Sequence, residues 1–207
     1  MHISEGVLNP EILIGGAIVS AALTIYAFKT LKTEDIPKVA VLSALFFVSS
    51  FVHIPLGPTS VHLVLGGIIG ALLGVRAFIS IFIALLLQGL LFGYGGITTL
   101  GINLFNIATP TLLGYLLFNI KTTKNWQKNT LWFLVGFIPL GISTLLLSFC
   151  LALNGEAFIP SAKLAFLAHL PLMFIEGLVT LFALRFIEKV SPSLLHVKET
   201  NASHIVN

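Results

Sequence analysis

Residues 130–153 read TLWFLVGFIPLGISTLLLSFCLAL, twenty-four positions without one charged side chain. A run of this length exceeds the roughly 20 apolar residues that a helix needs to cross a bilayer. It shows none of the period-2 alternation of a barrel strand, whose lipid-facing and lumen-facing residues take turns. A backbone inside lipid must satisfy its own hydrogen bonds, which leaves the helix as the form this run takes.

Working outward, the same character recurs near 11–28, 38–52, 62–75, 77–92, 98–118 and 163–187, giving seven candidate helices. The third and fourth are short for a span. The whole chain of 207 residues is 57% hydrophobic and only 9% charged, far more apolar than a soluble domain. These features predict an all-α integral membrane protein with about seven transmembrane helices. Residues 1–190 form a single polytopic domain and 191–207 a short cytoplasmic tail.

The formal net charge of +3 does not describe a nucleic-acid surface, because the 11 basic residues lie between the apolar runs. Lys29, Lys32 and Lys38 follow the first run, Arg76 the third, Lys121, Lys124 and Lys128 the fifth, and Arg185, Lys189 and Lys198 the seventh. All four groups fall on one side, and only Lys163 falls on the other. The positive-inside bias therefore places the N-terminus outside and the C-terminus in the cytoplasm. Cys150, the single cysteine, excludes an intrachain disulfide and a cysteine metal cluster.

The chain begins MHISEG with no basic residue before Lys29, unlike a secretory signal. A free amine at Met1, the amide nitrogen of His2 and Nδ1 of His2 are spaced to close two chelate rings on one metal ion. Ions that favour square-planar nitrogen fields, chiefly Ni(II) and Cu(II), suit such a site, and a fourth nitrogen completes the square. The stretch HIPLGPTSVHL supplies His53 and His62 on the same face as Met1. Thr59 or Ser60 is placed to cap a helix opening at Leu63, with His62 in its first turn. An ionisable residue near membrane depth is a functional candidate, although capping or packing accounts equally well for a lone histidine.

Taken together, MHISEG, GPTSVHLVLGGIIGALLG, GYGGITTLGINLFNIATP and HLPLMFIEG resemble the CbiM/NikM family, substrate-binding membrane subunits of energy-coupling-factor (ECF) transporters for cobalt and nickel. The likeness runs to about residue 187. It implies a metal held by the amine of Met1, the amide and imidazole nitrogens of His2, and His62 as fourth ligand. Around these, Ser60, His53, Asn103 and Asn106 are candidates for supporting the ligands. Asn103 and Asn106 share a helix face, from which they reach loop carbonyls, a ligand imidazole or another helix. His169 and Glu176, seven apart, read as an internal polar pair that supports packing, and Gln88 as a helix–helix hydrogen bond.

Gly15, Gly16, Ala17 and Ala21 form a small-residue strip suited to close helix approach. The resemblance assigns Gly15, Ala17 and Ala21 to contact with a transmembrane coupling subunit, while packing within the bundle explains the strip equally well. The chain has no Gly-x-x-x-x-Gly-Lys-Ser/Thr loop and so does not itself hydrolyse ATP. The resemblance accordingly implies a coupling subunit and two ATPase subunits, and admits a small accessory membrane subunit. No cofactor is implied, only a transported Ni2+ or Co2+, with nickel slightly favoured by the planar nitrogen set. The setting implied is the cytoplasmic (inner) membrane of a bacterium or archaeon.

An intramembrane hydrolase is disfavoured by the lack of His-Glu-x-x-His and Gly-x-Ser-x-Gly. A stand-alone secondary transporter for a divalent metal is the alternative, but its binding groups belong near the midplane on inverted repeats. Here the histidines gather at one rim.

Overall fold

The computed structural model describes residues 2–51, 53–56 and 59–195. Met1 and residues 196–207, the end of the expected tail, lie outside the described residues. Seven α-helices occur among those described: α1 (Pro10–Thr30), α2 (Ile36–Ser49), α3 (Gly66–Leu73), α4 (Ala77–Phe92), α5 (Leu100–Phe118), α6 (Asn125–Leu153) and α7 (Ile159–Val190). A two-stranded hairpin, β1 (His53–Leu56) and β2 (Thr59–His62), lies between α2 and α3. The chain is thus a mostly helical membrane protein. Length and composition mark five helical stretches able to cross a bilayer, with α3 and α4 counted in one stretch from Gly66 to Phe92 and the 14-residue α2 too short to qualify.

Hydrogen bonds show that α3 and α4 run in opposite directions. Val64, just before α3, and Gln88, late in α4, both belong to the end that holds His2. Between them, Arg76 reaches the other end, donating to Thr30 O from Nε at 3.1 Å and Nη2 at 3.0 Å. The reversal falls at Gly74, whose φ of 56° suits a residue without a side chain.

Most helices bury one stripe and leave apolar side chains facing outward, as lipid permits, whereas α3 is buried in seven of its eight residues. In α1 the buried residues are Gly16, Ser20, Thr24 and Ala27, spaced at helical period. Gly16 is pressed against Ile102 of α5, and Ser20 Oγ donates to Gly101 O at 2.7 Å. Part of the expected small-residue strip therefore packs inside the bundle. Gly15, Ala17 and Ala21 remain exposed, and Ala17 and Ala21 line a groove of about 300 Å³ with Phe82 and Leu104.

The two ends differ in chemistry. One carries ion pairs: Arg76 with Asp35 at 3.3 Å, Lys128 with Glu188, and Arg185 with Glu188 at 2.7 Å. The other carries the chain start, the hairpin and the loop from Gly93 to Thr99, bound together by uncharged groups and one glutamate at the surface, Glu5.

Candidate metal site

The N-terminal segment is inserted into the bundle. His2, Ile3 and Leu8 are all buried. Ile3 pairs with Thr59 of β2 in an antiparallel bridge. On its other side the Asn103 amide acts as a surrogate peptide: Ile3 N–H donates to Asn103 Oδ1 at 2.8 Å, and Asn103 Nδ2 donates to Ile3 O at 3.0 Å. A second bond from Asn103 Nδ2 to Thr99 Oγ1 at 3.1 Å fixes the amide orientation. Glu5 closes the segment from above by accepting from Thr98 N–H at 2.9 Å and from the Thr98 hydroxyl at 3.2 Å, which lowers its pKa below the usual carboxylate value. Gly95 makes room, since a Cβ there would stand 2.9 Å from Asn103 Nδ2 and 3.4 Å from His2 Cβ.

This clasp on residue 3 sets residue 2. The ring of His2 lies against that of His62, centroids 4.8 Å apart and planes 25° from parallel. Phe46 stands edge-on to His62 at 6.3 Å, so the imidazole of His62 is held between two rings. Both histidines are nearly enclosed, His2 at 4% exposure and His62 at 3%.

The hydrogen-bond network assigns both tautomers. The Ser50 hydroxyl donates to Phe47 O at 2.7 Å, so its oxygen must accept from Gln88 Nε2, also at 2.7 Å. That turns Gln88 Oε1 toward His2, where it accepts from Nε2 at 2.7 Å. The proton of His2 is therefore on Nε2 and the lone pair on Nδ1, the nitrogen able to chelate together with its own backbone amide. In His62, Nδ1 donates to Leu63 O at 2.9 Å, which puts the lone pair on Nε2. That Nε2 is buried without a hydrogen-bond partner among the described residues. An unsatisfied buried polar atom costs about 1–3 kcal/mol, which a metal ion would relieve. Burial also holds the His62 pKa well below 6.5, keeping it in the neutral form that ligates.

His62 does not sit in a helical first turn, as the sequence suggested. Residues 59–62 pair with 56–53, with His62 opposite His53 and Ser60 opposite Pro55, so Thr59 and Ser60 lie in a strand and do not cap a helix. The helix begins four residues beyond His62, and its start is held by Glu176 of α7. That carboxylate accepts from the N–H groups of Val64 and Leu65, the latter at 2.7 Å. Leu65 is left-handed (φ 56°), a strained setting for a branched side chain that these bonds secure. Glu176 and His169 are thus not bonded to each other: His169 Nδ1 donates to Ala165 O at 2.7 Å. Both still serve internal packing, but Glu176 does so by fixing the segment that follows His62.

Of the expected supporting residues, Asn103 acts on Ile3, one residue from His2. Asn106 lies deeper, its Oδ1 3.8 Å from the Cys150 thiol. The backbone of His53 pairs with that of His62. Gln88, read from sequence as a helix–helix bond, does tie α4 to the end of α2 through Ser50, and it also joins α4 to His2 across 86 positions. Among the described residues no three His, Cys, Asp or Glu side chains gather in metal-binding geometry, so a site here needs backbone nitrogens as well.

Comparison with known proteins gives a consistent assignment. The family model described as the cobalt uptake substrate-specific transmembrane region matches residues 2–194. A Haemophilus influenzae chain, provisionally named for metal transport, is 34% identical over 96% of this chain and 98% of its own. The fused nickel transport protein NikMN of Rhodobacter capsulatus is 35% identical over 52% of this chain and 33% of its own. A crystal structure of a transition metal transporter shares the fold with a TM-score of 0.79, at 24% identity over 92% of this chain and 93% of the other.

Proposed function

The chain belongs to the CbiM family of cobalt and nickel transport proteins, and from that premise we propose that it is the metal-capturing membrane subunit of an ECF-type importer. With Met1 as the first residue, the ion is bound by the Met1 amine, the amide and Nδ1 of His2, and Nε2 of His62. The observation that carries this reading is the pair of buried imidazoles whose other nitrogens are already committed to Gln88 and Leu63. Two imidazoles on adjacent corners of a square, with metal–nitrogen bonds of about 2 Å, place their ring centres roughly 4.5 Å apart. The observed 4.8 Å needs little rearrangement. A planar four-nitrogen set favours Ni(II) slightly over Co(II).

The protein sits in the cytoplasmic membrane of a bacterium or archaeon and crosses it seven times, α2 and α3 included. The histidine end faces outward. The opposite end then carries Arg76, Lys121, Lys128 and Arg185 on the cytoplasmic face, as the positive-inside bias requires. Transport depends on a coupling membrane subunit and two ATPase subunits, with room for a small accessory membrane subunit. The exposed Gly15, Ala17 and Ala21 along the α1 groove form the coupling contact.

The test is metal stoichiometry and affinity of the purified chain, its first residue verified by mass. Adding one residue ahead of Met1 removes the amine from the chelate while leaving both imidazoles in place. Tight binding of one equivalent by the native chain, with a steep loss in the extended one, is expected. Equal binding by both would exclude the amine as a ligand.

A further inference from the structure

The end of the bundle opposite His2 holds a cavity of about 550 Å³ between the α5–α6 connection, the start of α6 and the end of α7. Asn119, Lys121 and Thr122 line it from the connection, Lys128 and Trp132 from α6, and Glu188 from α7. Its volume falls in the range of small-molecule sites, about 300–1,000 Å³.

The cavity is built around one aromatic ring. Trp132 is buried, with Lys128 Nζ 4.7 Å and Arg185 Cζ 5.0 Å from its ring centre. Glu188 accepts from both Lys128 and Arg185, the latter at 2.7 Å, and Arg185 Nε donates to Asn129 Oδ1 at 2.7 Å. These cations are held in place before any ligand arrives, which lowers the ordering cost of binding. They also outnumber their carboxylate. Lys121, Lys124, Lys128, Arg185 and Lys189 fall within 118–132 and 185–195, where Glu188 is the one acidic residue. Two cations share Glu188, and Lys121 makes no ion pair among the described residues.

Helix length sets the depth of this cavity. The 29 residues of α6 span about 43 Å against a hydrocarbon core of about 30 Å, so roughly one turn at each end stands among the headgroups. Lys128 is the fourth residue of α6 and belongs to that turn. At the same end Ile120, Trp126, Phe186 and Val190 are all more than half exposed. A soluble anion would use the cations and leave these apolar side chains idle, whereas a phospholipid uses both.

We propose that this cavity binds the headgroup of an anionic phospholipid, with its phosphate between Lys121 and Lys128 and its chains along the apolar side chains of the same end. Clusters of about four to eight basic residues beside a membrane helix attract anionic headgroups in this way. The bound lipid joins the α5–α6 connection to the ends of α6 and α7, and so stabilises this end of the bundle. Glu188 competes with the phosphate for Lys128 and Arg185.

The experiment counts the lipids that the purified native chain retains in native mass spectrometry, titrated with palmitoyl-oleoyl phosphatidylglycerol or phosphatidylcholine. One phosphatidylglycerol should be held in preference to phosphatidylcholine and should raise the melting temperature. Lys121→Ala and Lys128→Ala should each weaken that retention about fivefold, the effect of one basic residue at an anionic surface. Glu188→Gln should strengthen it, a change that loss of packing cannot produce. Inorganic phosphate in excess should not displace the lipid. Equal retention of the two lipids, no response to the lysine variants, or weaker binding in Glu188→Gln would overturn the proposal. Displacement by inorganic phosphate would overturn it by assigning the cavity to a soluble anion. Absence of the lipid from the complex purified with its partner subunits would overturn it in favour of a protein contact.

Discussion

The two ends of the bundle handle polar groups in opposite ways. At the Arg76 end, cations meet carboxylates that are a quarter to a third exposed, and the pairs tie helix termini together. Such partly solvated pairs contribute about 0–1 kcal/mol each. At the His2 end, burial is nearly complete and hydrogen bonds decide which nitrogen of each imidazole keeps its lone pair. The contrast separates a face that sets orientation and firmness from a face that prepares ligands. Substitutions at the two ends should therefore move different observables.

The largest effect should come from His2→Ala, which deletes the chelating nitrogen while keeping the backbone amide. Metal binding should become undetectable by calorimetry, while the melting temperature in detergent changes little. Next comes Gln88→Leu, which removes the acceptor that holds the His2 proton on Nε2 and leaves the Ser50 oxygen without its donor. Loss of such an outer partner typically costs 10–100-fold in metal affinity, so affinity should fall by about that factor. An unchanged affinity would mean that Gln88 serves helix packing alone.

How much of this was legible in the sequence depended on distance along the chain. Apolar runs and their breaks are local, so seven helices and the interruption near Gly74 could be read directly. The chelate at positions 1 and 2 is local too, which made His2 a candidate before any fold was known. Gln88 was readable as a helix–helix hydrogen bond, which its bond to Ser50 makes, but its hold on His2 depends on a partner 86 residues away. Asn103 was expected to reach loop carbonyls, and it does so, but its two-sided grip on Ile3 needed the fold. The hairpin was hidden by brevity. Its strands are four residues each, and Pro55 weakens one of them. Pro58, Thr59 and Ser60 therefore read as the entrance to a helix. The start of that helix is held instead from α7, by a carboxylate more than a hundred residues away.

Glu176→Gln tests whether that remote cap matters. Leaving a buried N–H donor without its acceptor costs about 1–3 kcal/mol, and a chain of this size shifts by about 2–4 °C per kcal/mol. A fall of roughly 2–12 °C is expected by thermal unfolding, with weaker metal binding because the segment after His62 loosens. Stability should also depend on pH through His62. Its folded pKa lies well below 6.5, so unfolding takes up a proton once pH drops under that value. The stabilisation is full above pH 6.5 and is lost as pH falls toward the folded pKa. Melting temperatures at pH 7.5 and 5.5 should differ less in His62→Phe than in the native chain. The smallest change should be Glu188→Gln at the opposite end, within about 1 kcal/mol in stability and without effect on metal affinity. A loss of metal binding there would break the division between the two ends.

The most direct test of the central claim is X-ray absorption at the nickel edge of the Ni2+-loaded native chain. The account predicts one equivalent of nickel with four nitrogen neighbours and the pre-edge feature of a square-planar ion, both lost in His2→Ala. A six-coordinate, oxygen-rich shell, or a spectrum unaltered by His2→Ala, would contradict it.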